Sequence, residues 1–293
     1  MKKETKNKHS QLANNLMFYI YEYIDVAINI DEISLEFGVS KFHFHRVFKE
    51  QMGMNIYEVI KSIRLQKASN LLITNKLSTI TQIANMCGYH SQSSFIRAFK
   101  NRFNQTPTFW RHGGYKEYSD AILNTLQGDS LSNTDFSYLE PKIIKTVAKR
   151  LYYIRQKGYN LKSTKQTWQK LMTWVYTNNI ENYEQIGIYH DNPIITPPKD
   201  CFYVASISQE PNKDIEATSL SYFEIAPDVC ASFQVTCKHE DILRLIQWVY
   251  HKWLPDSGYE TTPNPSYVIL EKNHFSDEKE NFKFIYNIPI RYV

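Results

Sequence analysis

Phe42, His45 and Arg46 stand close together in one stretch of the chain, and Gln92, Ser93 and Arg97 in another. These residue types can read the edges of base pairs. An arginine forks onto guanine O6 and N7, a glutamine pairs twice with adenine, and an aromatic ring packs on a thymine methyl. Histidine and serine hydrogen-bond to base or backbone acceptors. Around them lie Lys41, His43, Lys49 and Lys100, cations suited to phosphates, which set a protein on a duplex without specifying its sequence. No stretch reads as GxSxG, HExxH or a phosphate-cradling glycine loop, so no catalytic site and no cofactor are expected.

The two stretches are copies. Ser40, Phe44, Arg46, Phe48 and Lys49 return 51 residues later as Ser91, Phe95, Arg97, Phe99 and Lys100. Each copy follows an apolar, helix-forming segment that stops at a glycine, Gly38 or Gly88. That is the layout of a helix-turn-helix, written twice. Rotation by about 100° per residue from Ser40 puts Phe44, Val47, Phe48 and Gln51 on one face, and Phe42, His45, Arg46 and Lys49 on the other. In the second copy Phe95, Ala98, Phe99 and either Arg102 or Phe103 turn inward. Gln92, Ser93, Ile96, Arg97 and Lys100 turn outward. The alternative is that the two arginines pair with acids inside the domain and the helices merely pack. Phe42 argues against it, because a solvated face has no use for a phenylalanine.

The elements that position these faces are legible from caps and periodicity. Helices are expected over 11–28, 32–37, 40–51, 55–72, 81–87 and 91–103, with Ser40, Asn55 and Ser91 as caps and Gly53 as a breaker. The helix from Asn55 would span about 27 Å, enough to hold two reading heads about one DNA turn apart in a single polypeptide. Residues 119–137 are rich in Ser, Asn, Asp and Thr and read as a linker. Beyond them short β-rich runs at 142–153, 185–189, 202–207, 221–225, 231–236, 267–270 and 282–290 surround helices at 162–178 and 240–253. The expected architecture is an all-α N-terminal domain with two helix-turn-helix motifs joined by a long helix (1–115), a linker (116–137), and an α+β C-terminal domain of two pseudo-symmetric strand-helix-strand halves (138–293).

Charge follows this division. The 293-residue chain has a net charge of +4, but residues 1–118 carry 16 Lys and Arg against 9 Asp and Glu, and the remainder carries 18 against 21. The basic part is the part with the repeated motif, as a phosphate-facing surface requires. Four scattered cysteines (Cys87, Cys201, Cys230 and Cys237) form no metal-ligand spacing, so buried thiols and no metal are expected. The absence of a long apolar run and of an export signal points to a cytoplasmic protein without a membrane role.

Residues 11–112 resemble the DNA-binding domain of AraC/XylS-type transcription regulators. The likeness runs through Val39-Ser40, Arg46, Phe48-Lys49, Gly53, Tyr57, Arg64-Leu65, Ala68, Leu71-Leu72, Ile83-Ala84, Gly88-Tyr89, Ser91 to Phe95, Phe99-Lys100, Phe103, Pro107 and Arg111. It implies that Phe42, His45, Arg46, Gln92, Ser93 and Arg97 face bases of double-stranded DNA. It also implies an activator, with RNA polymerase as protein partner. Asn55 and Gln105 depart from the pattern without touching a reading residue.

The second half is similar to the GyrI-like effector-binding domain, in Rob-like domain order. Cys201 to Ala205, Trp253-Leu254-Pro255, Ser257-Gly258-Tyr259, Glu271 and Ile288-Pro289-Ile290 carry the likeness. It implies a groove between the halves that takes small amphipathic, often cationic, molecules, with Glu271 at the matching position of the central carboxylate. A carboxylate among aromatic faces would attract a cation through charge and ring quadrupole. Read from its neighbours alone, Glu271 is equally an exposed strand-end carboxylate beside Lys272. Glu240 and Ala226-Pro227-Asp228 replace glycines usual in that family, so an altered groove is expected. Trp168, Trp174, Trp248 and Trp253 read as core. The rival readings for this half are a protein-interaction module and, further off, a small-molecule hydrolase.

Overall fold

A computed structural model describes residues 3–127, 134–209, 220–271 and 281–292. The N-terminal domain is helical: α1 (Lys3–Glu22), α2 (Ile30–Glu36), α3 (Lys41–Met52), α4 (Ile56–Thr74), α5 (Ile80–Met86) and α6 (Gln92–Phe103). A short α7 (Pro107–Phe109) follows, then a wide turn that kinks at Gly113, and α8 (Tyr115–Gln127). The caps act where the residue types placed them. Asn55 accepts from Glu58 N while the Glu58 carboxylate reaches back to Asn55 N, a reciprocal box that starts α4. Thr79 and Gln82 form the same box at α5. The first helix departs from expectation: α1 begins at Lys3 and stops at Glu22, because the chain turns at 23–25 to let Arg64 grip the carbonyls of Ile24 and Val26.

The two helix-turn-helix units pack into separate apolar clusters. Around α1 and α3, Leu16, Ile20, Phe44 and Phe48 are buried together with Ile30, Ile33 and Ile56. Around α5 and α6, Phe95, Phe99, Phe103 and Trp110 form a chain of rings with centroids 4.5–5.6 Å apart. The Trp110 indole N–H donates to the Ser69 carbonyl, so the ring stack is moored to α4.

The C-terminal domain is a single antiparallel sheet with strands β1 (Lys142–Lys145), β2 (Lys149–Lys157), β3 (Tyr183–Tyr189), β4 (Phe202–Gln209), β5 (Ser221–Ile225), β6 (Val229–Lys238), β7 (Tyr259–Thr261), β8 (Ser266–Leu270) and β9 (Asn281–Tyr292). Spatial order is β1-β6-β9-β8-β3-β4-β2-β5, with β7 paired to β9. The order mirrors itself about the central β8–β3 pair. One half is β2, helix α9 (Leu161–Thr177), β3, β4; the other is β6, helix α10 (Ile242–Trp248), β8, β9. Gly187 sits at this centre opposite Val268, where a Cβ would collide with the Tyr203 hydroxyl and the Val268 side chain. Trp168, Phe233, Tyr286 and Ile246 fill the layer between the sheet and its helices.

The expected linker over 116–137 is not one in its first half; 128–133 lie outside the described residues. Residues up to Gln127 belong to α8, which buries Ile122 and Leu123. Its polar composition has another cause. Ser119 and Asp120 accept hydrogen bonds from the Gln247 amide, and Asp120 pairs with Arg244 at 3.4 Å. Ser119 is buried against the C-terminal domain, and Asp120, though exposed, is tied to it.

Candidate nucleic-acid interface and ligand cleft

The Ser40 hydroxyl caps α3 by accepting from His43 N at 3.3 Å, and Gly53, at φ 68°, ends it. Between them Phe44, Val47 and Phe48 are buried, which turns Phe42, Arg46 and Lys49 outward. Phe42 is 81% exposed, a large apolar ring presented to solvent. Arg46 is held by the His43 ring, Nη2 to Nδ1 3.2 Å, so its guanidinium is partly oriented before any target arrives. His45 is half-buried against Tyr57, ring centroids 5.7 Å apart, and burial lowers its pKa, with Lys41 adding to the effect. Lys41 is engaged with Asp31 at 2.8 Å, an exposed pair that ties α3 to α2. His43 also packs edge-on to His9 of α1 at 5.5 Å.

The second copy, α6, repeats the design. Ser91 caps α6 by accepting from Ser94 N at 3.2 Å, and Asn104 closes it in the left-handed conformation at φ 53°. Phe95, Phe99 and Phe103 are buried, and Gln92, Ser93, Arg97 and Lys100 are exposed. The Gln92 carbonyl accepts from the Thr81 hydroxyl at 2.9 Å. A carboxamide oxygen has two lone pairs, so this bond orients Gln92 and leaves it able to pair with adenine. Of Arg102 and Phe103, the alternatives for the inward position, Phe103 is fully buried, and half-buried Arg102 donates to Ser62 of α4 and Thr196 of the C-terminal domain.

The two helices flank α4, whose 19 residues span about 28 Å. Two side chains to which the sequence reading gave no role hold this frame. Arg64 bonds the carbonyls of Ile24 and Val26 and lies against Gly88, where a Cβ would come within 2.7 Å of its Nη2. Lys67, almost wholly buried, pairs with Asp25. Their spacing along α4 carries no local signal, since their partners are distant loops.

The C-terminal domain contributes a cleft on the sheet face opposite its own helices. Ile188, Phe223 and Tyr267 line it from the sheet, and Asn14, Met17, Phe18 and Tyr21 of α1 form the facing wall. Asn14 is buried: its amide donates to the Tyr222 carbonyl and to the Tyr153 hydroxyl, and its carbonyl accepts from Arg155. The Tyr21 hydroxyl lies 2.9 Å from His190 Nδ1, and burial pushes the His190 pKa down to about 3, so the ring is neutral.

Glu271 does not line this cleft. It stands at the end of β8, exposed, opposite Lys283 of β9 and paired with its ammonium at 2.7 Å. Strand alternation puts Glu271 on the face of Tyr267 but two pleats further along, beyond the cleft. The strand-end reading describes its position.

The fold and the two exposed faces define a double helix-turn-helix DNA-binding protein with an α+β domain behind it. Residues 33–113 match the helix-turn-helix domain model, and residues 139–291 match the GyrI-like small molecule binding domain. The regulatory protein SoxS of Salmonella typhimurium is 36% identical over 104 residues, which are 36% of this chain and 96% of SoxS. The xylose operon regulatory protein of Escherichia coli is 36% identical over 105 residues, again 36% of this chain but only 24% of that protein. Among solved structures, the EcmrR–DNA complex aligns with 86% of this chain and 83% of its own at 12% identity, with a TM-score of 0.44. The chain therefore belongs to the AraC-type DNA-binding transcription regulators, in the Rob-like order with a GyrI-like domain at the C-terminal side. Among the described residues no helix is long and apolar enough to cross a membrane.

Proposed function

We propose that this protein is a sequence-specific transcription activator that sets α3 and α6 into two adjacent major grooves of double-stranded DNA. The observation that carries this reading is the paired outward face: Arg46 and Arg97 stand at equivalent positions of two capped helices that flank one rigid helix. Phe42, His45 and Arg46 read one half-site; Gln92, Ser93 and Arg97 read the other. Lys49, Lys100 and His43 supply phosphate contacts and a salt-dependent share of affinity. Lys41 joins them by exchanging Asp31 for a phosphate. RNA polymerase is the protein partner, and the C-terminal domain senses a small amphipathic molecule. The work is done by binding, in the cytoplasm, without catalysis or cofactor.

Selection of bound duplexes from a random library tests the DNA reading, with the Arg46→Ala/Arg97→Ala double variant alongside. The expected result is a bipartite motif with half-sites about one turn apart, lost in the variant. Salt-sensitive binding without a motif would make the repeat a basic scaffold.

A further inference from the structure

We infer that the cleft between α1 and the sheet is a composite site for an amphipathic anion, whose acidic head competes with Asn14 for Arg155. This inference rests on the small-molecule reading of the C-terminal domain.

The charge balance of the cleft carries it. Arg155 and Asp228 are its charged lining residues. Asp228 is already satisfied at the mouth: one carboxylate oxygen accepts from Val229 N at 2.8 Å, the other from the Asn264 amide at 2.7 Å. Arg155 is not satisfied in the same way. Its Nη2 donates to the neutral Asn14 carbonyl at 3.0 Å, its guanidinium lies 4.9 Å from the Tyr153 ring centre, and its Nε has no partner. Among the described residues it has no carboxylate partner. A half-buried cation whose hydrogen bond goes to a neutral carbonyl has donors to spare for an anion, and a carboxylate takes a guanidinium fork in two places. The remaining walls, with Phe18, Ile188, Phe223 and Tyr267, accept an apolar body.

The wall opposite the sheet makes the site composite. Phe18 packs on Phe223 at 6.0 Å, and Asn14 is, beside Tyr21 on His190, a polar link between α1 and the sheet. The other side of α1 belongs to the first helix-turn-helix: Ser10 donates to Gln51 at 2.7 Å, and Leu16 and Ile20 share a core with Phe44 and Phe48. An anion that takes Arg155 from Asn14 loosens the helix against which α3 is packed. Ligand arrival is thereby felt at the first reading head.

Calorimetric titration of the full chain with biphenyl-4-carboxylate, biphenyl-4-carboxamide and biphenyl-4-ylmethylammonium tests this. The carboxylate is expected to bind at least about tenfold more tightly than the other two, about 1.4 kcal/mol. Arg155→Gln should remove that preference and Arg155→Lys should keep part of it, with unchanged far-ultraviolet circular dichroism showing that both variants fold. Asn14→Ala should tighten the carboxylate severalfold. Tightest binding of the ammonium or the amide, or a preference untouched in Arg155→Gln, would overturn the anion assignment while leaving small-molecule sensing intact. Weaker carboxylate binding in Asn14→Ala would overturn the competition. Binding of none of the three probes would overturn the sensing reading together with the inference.

Discussion

At the scale of single residues, function separates by what each side chain has left unspent. Arg46 is exposed and hydrogen-bonds to His43, and Arg97 is exposed, so both have donors to commit to a base. Arg64 and Arg102 carry the same group but spend it on loop carbonyls and on Ser62 and Thr196. Arg46→Ala should weaken cognate binding by about 1–3 kcal/mol and relax specificity at one position of the site, whereas Lys49→Ala should lower affinity for every sequence and reduce the salt slope by about one. Binding titrations on cognate and scrambled duplexes across a salt series distinguish the two. His190 makes a second prediction. Burial against Tyr21, with Arg155 adding to it, depresses its pKa to about 3. The unfolded chain therefore takes up a proton that the folded one refuses as pH falls from about 6.5. Stability should decline between about pH 6 and pH 4. Removing the group in His190→Gln should reduce the slope of unfolding free energy by up to about 1.4 kcal/mol per pH unit. His239 and His251, both held down to about 4 by burial, keep the rest of the slope. An unchanged slope in urea titrations at several pH values would refute the His190 assignment.

Among elements, the two helix-turn-helix units differ in what fixes their turns. Gly38 has open space where a Cβ would go, while Gly88 has the Arg64 guanidinium. Both take positive φ, 65° and 71°. Gly38→Ala should therefore cost about 1 kcal/mol of backbone strain, and Gly88→Ala more, because Arg64 must also withdraw from Ile24 and Val26. In an Arg64→Ala background the extra cost of Gly88→Ala should disappear, a non-additivity that a double-mutant cycle in urea measures. Equal costs at both glycines would show that the contact with Arg64 is slack. The caps and the buried faces of α3 and α6 were legible because they are local: a hydroxyl at the N-cap and phenylalanines at helical spacing need no knowledge of the rest of the chain. The extent of α1, and the helix hidden inside the polar stretch after Gly114, were not. The first ends where Arg64 takes the loop carbonyls, and the second is tied through Ser119 and Asp120 to Gln247; both partners arrive from far along the sequence.

Across the whole molecule, the two domains share their interior. One apolar cluster runs from Leu65, Phe99 and Trp110 of the helical domain to Trp168, Phe233 and Tyr286 of the sheet domain. Gln66 bonds Asp191 and Asn192, Asn70 bonds Thr261, and Arg102 bonds Thr196, so both α4 and α6 are anchored to the second domain. Such a continuous core should unfold in one step. Urea transitions followed by tryptophan fluorescence and by far-ultraviolet circular dichroism should coincide; two separated transitions would show that the domains fold independently.

The amino-acid sequence by itself determined the doubled motif, its reading faces, the basic and acidic halves and the class of each domain. Each of these follows from periodicity, capping and composition within a few turns of chain. Only the tertiary structure decided where the cleft lies, that α1 walls it, and that Arg155 lines it while Glu271 does not. The physical reason is strand register and long-range packing. A carboxylate two pleats too far along β8 meets Lys283 on the neighbouring strand, and an arginine on β2 meets Asn14 of a helix more than a hundred residues earlier. No local pattern encodes either meeting.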